Sequence, residues 1–72
     1  SSRAQARAML AAAGAAHPER AGDHLVACID GLLFDRLVGA GARSAPPAGT
    51  AANRTDLAAA IATLLRAFAA AD

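Results

Sequence analysis

The 72-residue chain has no lysine, tryptophan or tyrosine, one cysteine, one methionine and only two phenylalanines. Each shortage removes a class of protein. A single thiol, Cys28, cannot close a disulfide framework, and no Cys/His cluster has metal-ligand spacing, so a reducing, cytoplasmic setting without metal or cofactor is expected. No basic segment leads into an apolar run, and the bulky apolar stretches are cut by Asp30, Asp35, Asp56 and Arg66. Neither a signal peptide nor a membrane span is therefore expected. Charge of one sign is also scarce: seven arginines and six acidic residues sum to a formal +1 and are scattered without runs. That leaves no electrostatic footprint for a phosphate backbone, and direct nucleic-acid contact by this segment is not expected.

What the chain has in quantity is alanine, 24 of 72 residues, so its 56% hydrophobic content overstates the material for a core. Ala buries little area, and a chain of this length hides only roughly 60% of its unfolded surface. The imbalance points to a covering surface, supplied by a second copy or by further parts of a longer protein. The opening at Ser1 without Met suits a fragment of a longer product.

Helix formers fill residues 1–13, with Ser1 or Ser2 as N-cap and Gly14 at a left-handed C-terminal position. Arg3 and Arg7, one turn apart, are expected on a solvated side. Pro18 suits the first turn of a second helix, which should run to Val38 and stop at Gly39 and Gly41. At about 100° per residue, Leu25, Val26, Ile29, Leu32, Leu33 and Leu37 form one apolar arc of it. Ala27, Phe34 and Val38 form a second strip, with Asp30 between the two. A helix apolar on two sides is most simply sandwiched between its own subunit and another. Residues 39–52, with Pro46, Pro47 and several glycines, read as a flexible connector that propagates neither helix nor ladder. A third helix, capped by Asn53 or Thr55, carries Leu57, Ile61, Leu64, Leu65 and Phe68 in a single stripe. No segment alternates with period two, so the fold class is all-α with three helices.

Catalytic chemistry finds little support. His17 and His24 lie about 10 Å apart along a continuous helix and cannot share a metal ion. Cys28 among Val26, Ile29 and Leu32 reads as a small buried hydrophobe, and a His24/Cys28 couple lacks an orienting third group. Asp30 and Asp35 point about 140° apart, so they form no carboxylate pair. No Lys-Ser/Thr signature follows the glycines to make a phosphate loop. An enzyme is not expected. Ala27 and Gly31 make a small-xxx-small step that calls for a close helix crossing, either within the subunit or between subunits.

The stretch HLVACIDGLLFDRLVG (His24 to Gly39), the Gly/Pro-rich connector and DLAAAIATLLRAF (Asp56 to Phe68) together resemble the C-terminal end of TetR/AcrR-family transcriptional regulators. The L-x-x-x-x-D-G-L-L flavour falls at Leu25 to Leu33, and RAMLAAAGAAHPER (Arg7 to Arg20) would be the preceding helix and its turn. The resemblance covers most of the chain. It implies that the last two helices are a long antiparallel pair forming half of a four-helix-bundle homodimer interface. In an intact regulator of that kind, effector binding biases the spacing of two DNA-reading heads. No helix-turn-helix has a counterpart in these residues, so the expected function is the dimerisation and ligand-sensing portion of such a regulator. The expected interface residues are Leu25, Ile29, Leu32, Leu57, Ile61, Leu64, Leu65 and Phe68, some of them serving as intrasubunit core. The alternative is a stand-alone helical interaction module, or one that binds a small hydrophobic effector in a pocket walled by Met9, Cys28 and Phe34, with Phe68 nearby.

Overall fold

Ser1 starts the first helix: its hydroxyl accepts from the Ala4 amide at 3.2 Å and satisfies one of the donors a helix leaves open at its N-terminus. The computed structural model describes residues 1–72 and contains α1 (Ser2–Ala12), α2 (Pro18–Val38), α3 (Gly41–Ser44) and α4 (Ala51–Ala70), with no strand. The end of α1 is a full Schellman closure. Gly14, at φ 87°, donates to the Ala11 carbonyl and Ala15 donates to that of Leu10. The chain then reverses, and Pro18 opens α2 with Glu19 in the first turn, where the helix dipole favours an acid.

The turn lays α1 antiparallel against the N-terminal half of α2. Gly22 is what allows the approach: a Cβ there would stand 2.6 Å from the Arg7 backbone nitrogen. Beside this crossing Ala6, Leu10, Ala21 and Leu25 form the core, with Leu10 and Leu25 closed to solvent. Complete burial of each leucine stabilises the fold by about 1.5–3 kcal/mol. Arg7 does not stand free as its place in the sequence suggests. Its Nε and Nη2 donate to both oxygens of the Asp23 carboxylate at 2.8 Å, and Arg3 approaches the same group at 3.6 Å.

The fourth helix runs antiparallel to α2, a register fixed by three pairs along the two elements. Arg36 bridges to Asp56, the His24 ring meets that of Phe68 with centroids 6.1 Å apart, and Arg20 donates to the Asp72 carbonyl at 3.0 Å. Leu64, Leu65, Phe68 and Ala69 pack against the Leu10/Leu25 core.

Three sequence expectations need correction here. The connector over 39–52 does contain a helix, the single turn α3. Asp35 accepts from the Gly41 amide at 3.2 Å; a Cβ at Gly39 would stand 2.8 Å from the Asp35 Cα, and one at Gly41 would displace the Asp35 carboxylate from this bond. Glycine here serves close approach. The fourth helix begins at Ala51 with Thr50 as its cap, ahead of both Asn53 and Thr55. The Thr50 hydroxyl donates to the Pro47 carbonyl at 2.7 Å and accepts from the Asn53 amide at 3.1 Å, so it ties the proline turn to the helix. Cys28 is exposed, not buried, because α1 covers another side of α2.

The molecule measures 37 × 20 × 18 Å and has a radius of gyration of 13.1 Å. A compact domain of this length would have about 11 Å. Its accessible surface is 4628 Å², where a monomer of 7.1 kDa ordinarily shows about 4,100 Å². Along the long axis, the 11 residues of α1 lie against about half the length of the 21-residue α2.

Candidate functional site

Beyond the reach of α1, the C-terminal half of α2 carries Leu33, Phe34, Leu37 and Val38 with 45%, 67%, 76% and 66% of their surfaces open. At helical spacing the four fall within an arc of about 140°, on the side of α2 turned away from the core. They expose on the order of 450 Å² of apolar surface, which falls in the range of patches that commonly serve binding. Ala27, Asp30 and Gly31 extend the same open side toward the N-terminus. Gly31 has no atom within 4 Å of where a Cβ would stand, so no crossing within the chain accounts for a glycine in mid-helix.

The expected interface residues separate into three groups. Leu25 lies inside the chain, 1% exposed, and is core, not surface. Ile29, Leu64, Leu65 and Phe68 are half-buried against that core. Leu32, Leu57 and Ile61 are half-buried but outside it. In the antiparallel register, Leu57 and Ile61 lie beside the open half of α2. Phe34 and Val38, placed by the sequence in a second apolar strip, are with Leu37 the most exposed large apolar side chains of α2. Leu33 and Leu37 belong on the wheel to the first apolar arc; Leu33 borders α1 and Leu37 lies beyond the stretch of α2 that α1 contacts.

A second feature adjoins this face. Between α1 and α2 runs a groove of about 320 Å³ lined by Ala6, Met9, Leu25, Val26, Ile29 and Leu33, with Ser2, Gln5 and Asp30 as its polar groups. Of the residues expected to wall a ligand pocket, Met9 lines this groove. Cys28 and Phe34 are not among the lining residues, and Phe68 lines a different depression with His17, Arg20 and His24. The four expected lining residues lie on three helices, α1, α2 and α4, and no single pocket gathers them. The signal that finds the groove is the pairing of Ala6 and Met9 with Val26, Ile29 and Leu33. It needs the register of the α1–α2 turn, which spacing within one helix does not supply.

Electrostatics concentrate at the Arg7–Asp23 pair. The hydrogen bond from Arg7, aided by the charges of Arg7 and Arg3, holds the Asp23 carboxyl below the ordinary aspartate value, against an opposing desolvation. The same bond raises the Arg7 guanidinium. This cluster joins α1 to α2 and lies outside the groove lining.

No helix is long and apolar enough to cross a membrane. Fold and surface together define a small all-α module with an exposed apolar face and no helix-turn-helix. Residues 1–71 match the family model of the tetracyclin repressor-like C-terminal domain, and the chain belongs to that non-enzymatic family of regulator domains. No curated protein and no solved structure matches it.

Proposed function

We propose that this chain is the dimerisation and ligand-sensing portion of a TetR-like transcriptional regulator working in the cytoplasm, and that it pairs with a second copy through the C-terminal half of α2. The observation that carries the reading is the run Leu33, Phe34, Leu37 and Val38, large apolar side chains left open within six residues of one helix. Two further points support it. Gly31 costs the helix about 0.5–1 kcal/mol relative to Ala, and an intersubunit crossing over Ala27 and Gly31 would recover this through close packing. The surface in excess of a compact monomer is about 500 Å², a large share of the roughly 800 Å² that each partner of a stable complex buries. Leu32, Leu57 and Ile61 would supply part of the remainder at the flanks, so that α2 and α4 of each copy form the four-helix arrangement. Leu64, Leu65 and Phe68 serve the subunit's own core.

The dimer is tested by sedimentation equilibrium on the parent chain and on Phe34→Arg and Leu37→Arg. Both substitutions fall on exposed positions, so the fold should survive, as circular dichroism would report. A dimeric parent and monomeric variants are expected. A parent that sediments as a folded monomer at every concentration would overturn the reading.

The sensing half of the proposal rests on the α1–α2 groove, whose volume and mostly apolar lining suit a small hydrophobic effector. Because Leu33 belongs to both the groove and the exposed run, an occupant of the groove would touch the edge of the dimer face.

A further inference from the structure

The exposed run of α2 is too small to hold two copies together alone. It offers on the order of 450 Å² of apolar surface, about half of the roughly 800 Å² that each partner of a stable complex buries. The adjoining apolar surface is the α1–α2 groove, which meets the run at Leu33 and stays open, with Met9 48% exposed and Ser2 and Gln5 exposed beside it. On α2 the groove lining goes from Leu25 to Leu33 and centres on Ile29, while the run goes from Leu33 to Val38 and centres between Asp35 and Arg36. Midway between the two centres is Leu32, next to Gly31, where no other atom stands within 4 Å of a Cβ position. A twofold axis across α2 at that level runs two copies antiparallel and lays the open run of each over the groove of the other. Phe34 then comes level with Asp30 of the second copy. Leu37 comes level with the end of the groove where Val26 and Met9 meet. A parallel pairing would set run against run and leave both grooves bare.

We propose that the α1–α2 groove is the seat for Phe34 and Leu37 of a second copy, so that α1 contributes to the dimer along with α2 and α4. This rests on the dimer reading above and names the surface that the second copy meets. An effector held in the groove would compete with that copy for the same space.

Two measurements test it. In a Cys28→Ser background, a chain carrying Met9→Cys is mixed with one carrying Leu37→Cys and treated with a short bismaleimide. The product of unlike chains, identified by mass, should exceed what either chain forms with itself. Sedimentation equilibrium then compares Met9→Arg, Gln5→Arg and Ala8→Arg with the parent. Met9→Arg should raise the dimer dissociation constant by about tenfold or more, while Ala8→Arg, on an exposed part of α1 outside the groove lining, should leave it within about twofold. Circular dichroism reports whether each variant folds, and Gln5→Arg, exposed at the same groove, carries the comparison should Met9→Arg unfold. If Phe34→Arg and Leu37→Arg dissociate the dimer while the two groove variants leave it intact, the proposal is overturned and the dimer reading stands. The same holds if the Leu37→Cys chain links to itself and not to the Met9→Cys chain. A parent that stays monomeric overturns both.

Discussion

Arg7 reaches across the α1–α2 crossing to hold both carboxylate oxygens of Asp23, each at 2.8 Å. The pair spans 16 residues of sequence and sits beside Gly22, where the two backbones come closest. It therefore reports whether the crossing is formed.

The first prediction concerns pH. The hydrogen bond from Arg7 lowers the Asp23 carboxyl from its ordinary value of 3.8. A depressed carboxyl contributes stability that is present above the unfolded value and is lost as pH falls through the folded one. Arg7, raised by the same bond, loses its share only in strong alkali. The parent should thus be more stable than Asp23→Asn by a constant amount from neutral pH down to about pH 5, and the gap should close below the ordinary aspartate range. Urea unfolding of both chains between pH 7 and pH 2 checks it. A gap that persists unchanged at the acid end would show that the pair contributes by packing alone.

Gly22→Ala should be among the most damaging small substitutions. The added methyl meets the backbone of Arg7, which cannot swing aside as a flexible side chain would. A cost of about 1–3 kcal/mol is expected from overpacking, in a domain small enough for that to matter. Thermal or urea unfolding measures it, and a neutral result would mean that α1 does not dock at this crossing.

At Gly31 the same substitution should do the opposite to the isolated chain. With open space around the position and no positive φ, Ala should stabilise the helix by about 0.5–1 kcal/mol. If copies cross there, the methyl also separates them, and the dimer dissociation constant should rise. Unfolding at low concentration and sedimentation at high concentration read the two effects separately.

The caps of α4 give a local check. Thr50→Ala removes an acceptor for the Asn53 amide and a donor to Pro47, and should cost about 1 kcal/mol. Thr55→Ala, on the exposed side of the first turns, should stay within about 0.5 kcal/mol of the parent. Equal effects at the two positions would place the helix start where the sequence first suggests, three or five residues later.

Most of the helical architecture was legible in local rules. Gly14 is where a left-handed residue ends α1, Pro18 is where α2 begins, and the stripe from Leu57 to Phe68 marks a helix with one sticky side. The short α3 escaped notice because its stability comes from Asp35, six residues earlier, reaching the Gly41 amide, a contact that no propensity records. The groove escaped for a related reason. Its walls come from two helices whose mutual register depends on a turn and on the close fit at Gly22.

The sequence by itself determined that this chain is helical, that it is short of covering material, and that one long helix is apolar on two sides. Periodicity and composition are properties of a single strand of residues, and they need no partner to be read. Only the tertiary structure decided which apolar side is spent inside the subunit. The α4 stripe turns inward because α2 and α4 pair antiparallel over Leu10 and Leu25, while Phe34 and Val38 stay open because they lie on the side of α2 that neither α1 nor α4 covers. Which face of a helix is buried depends on how far its neighbours reach.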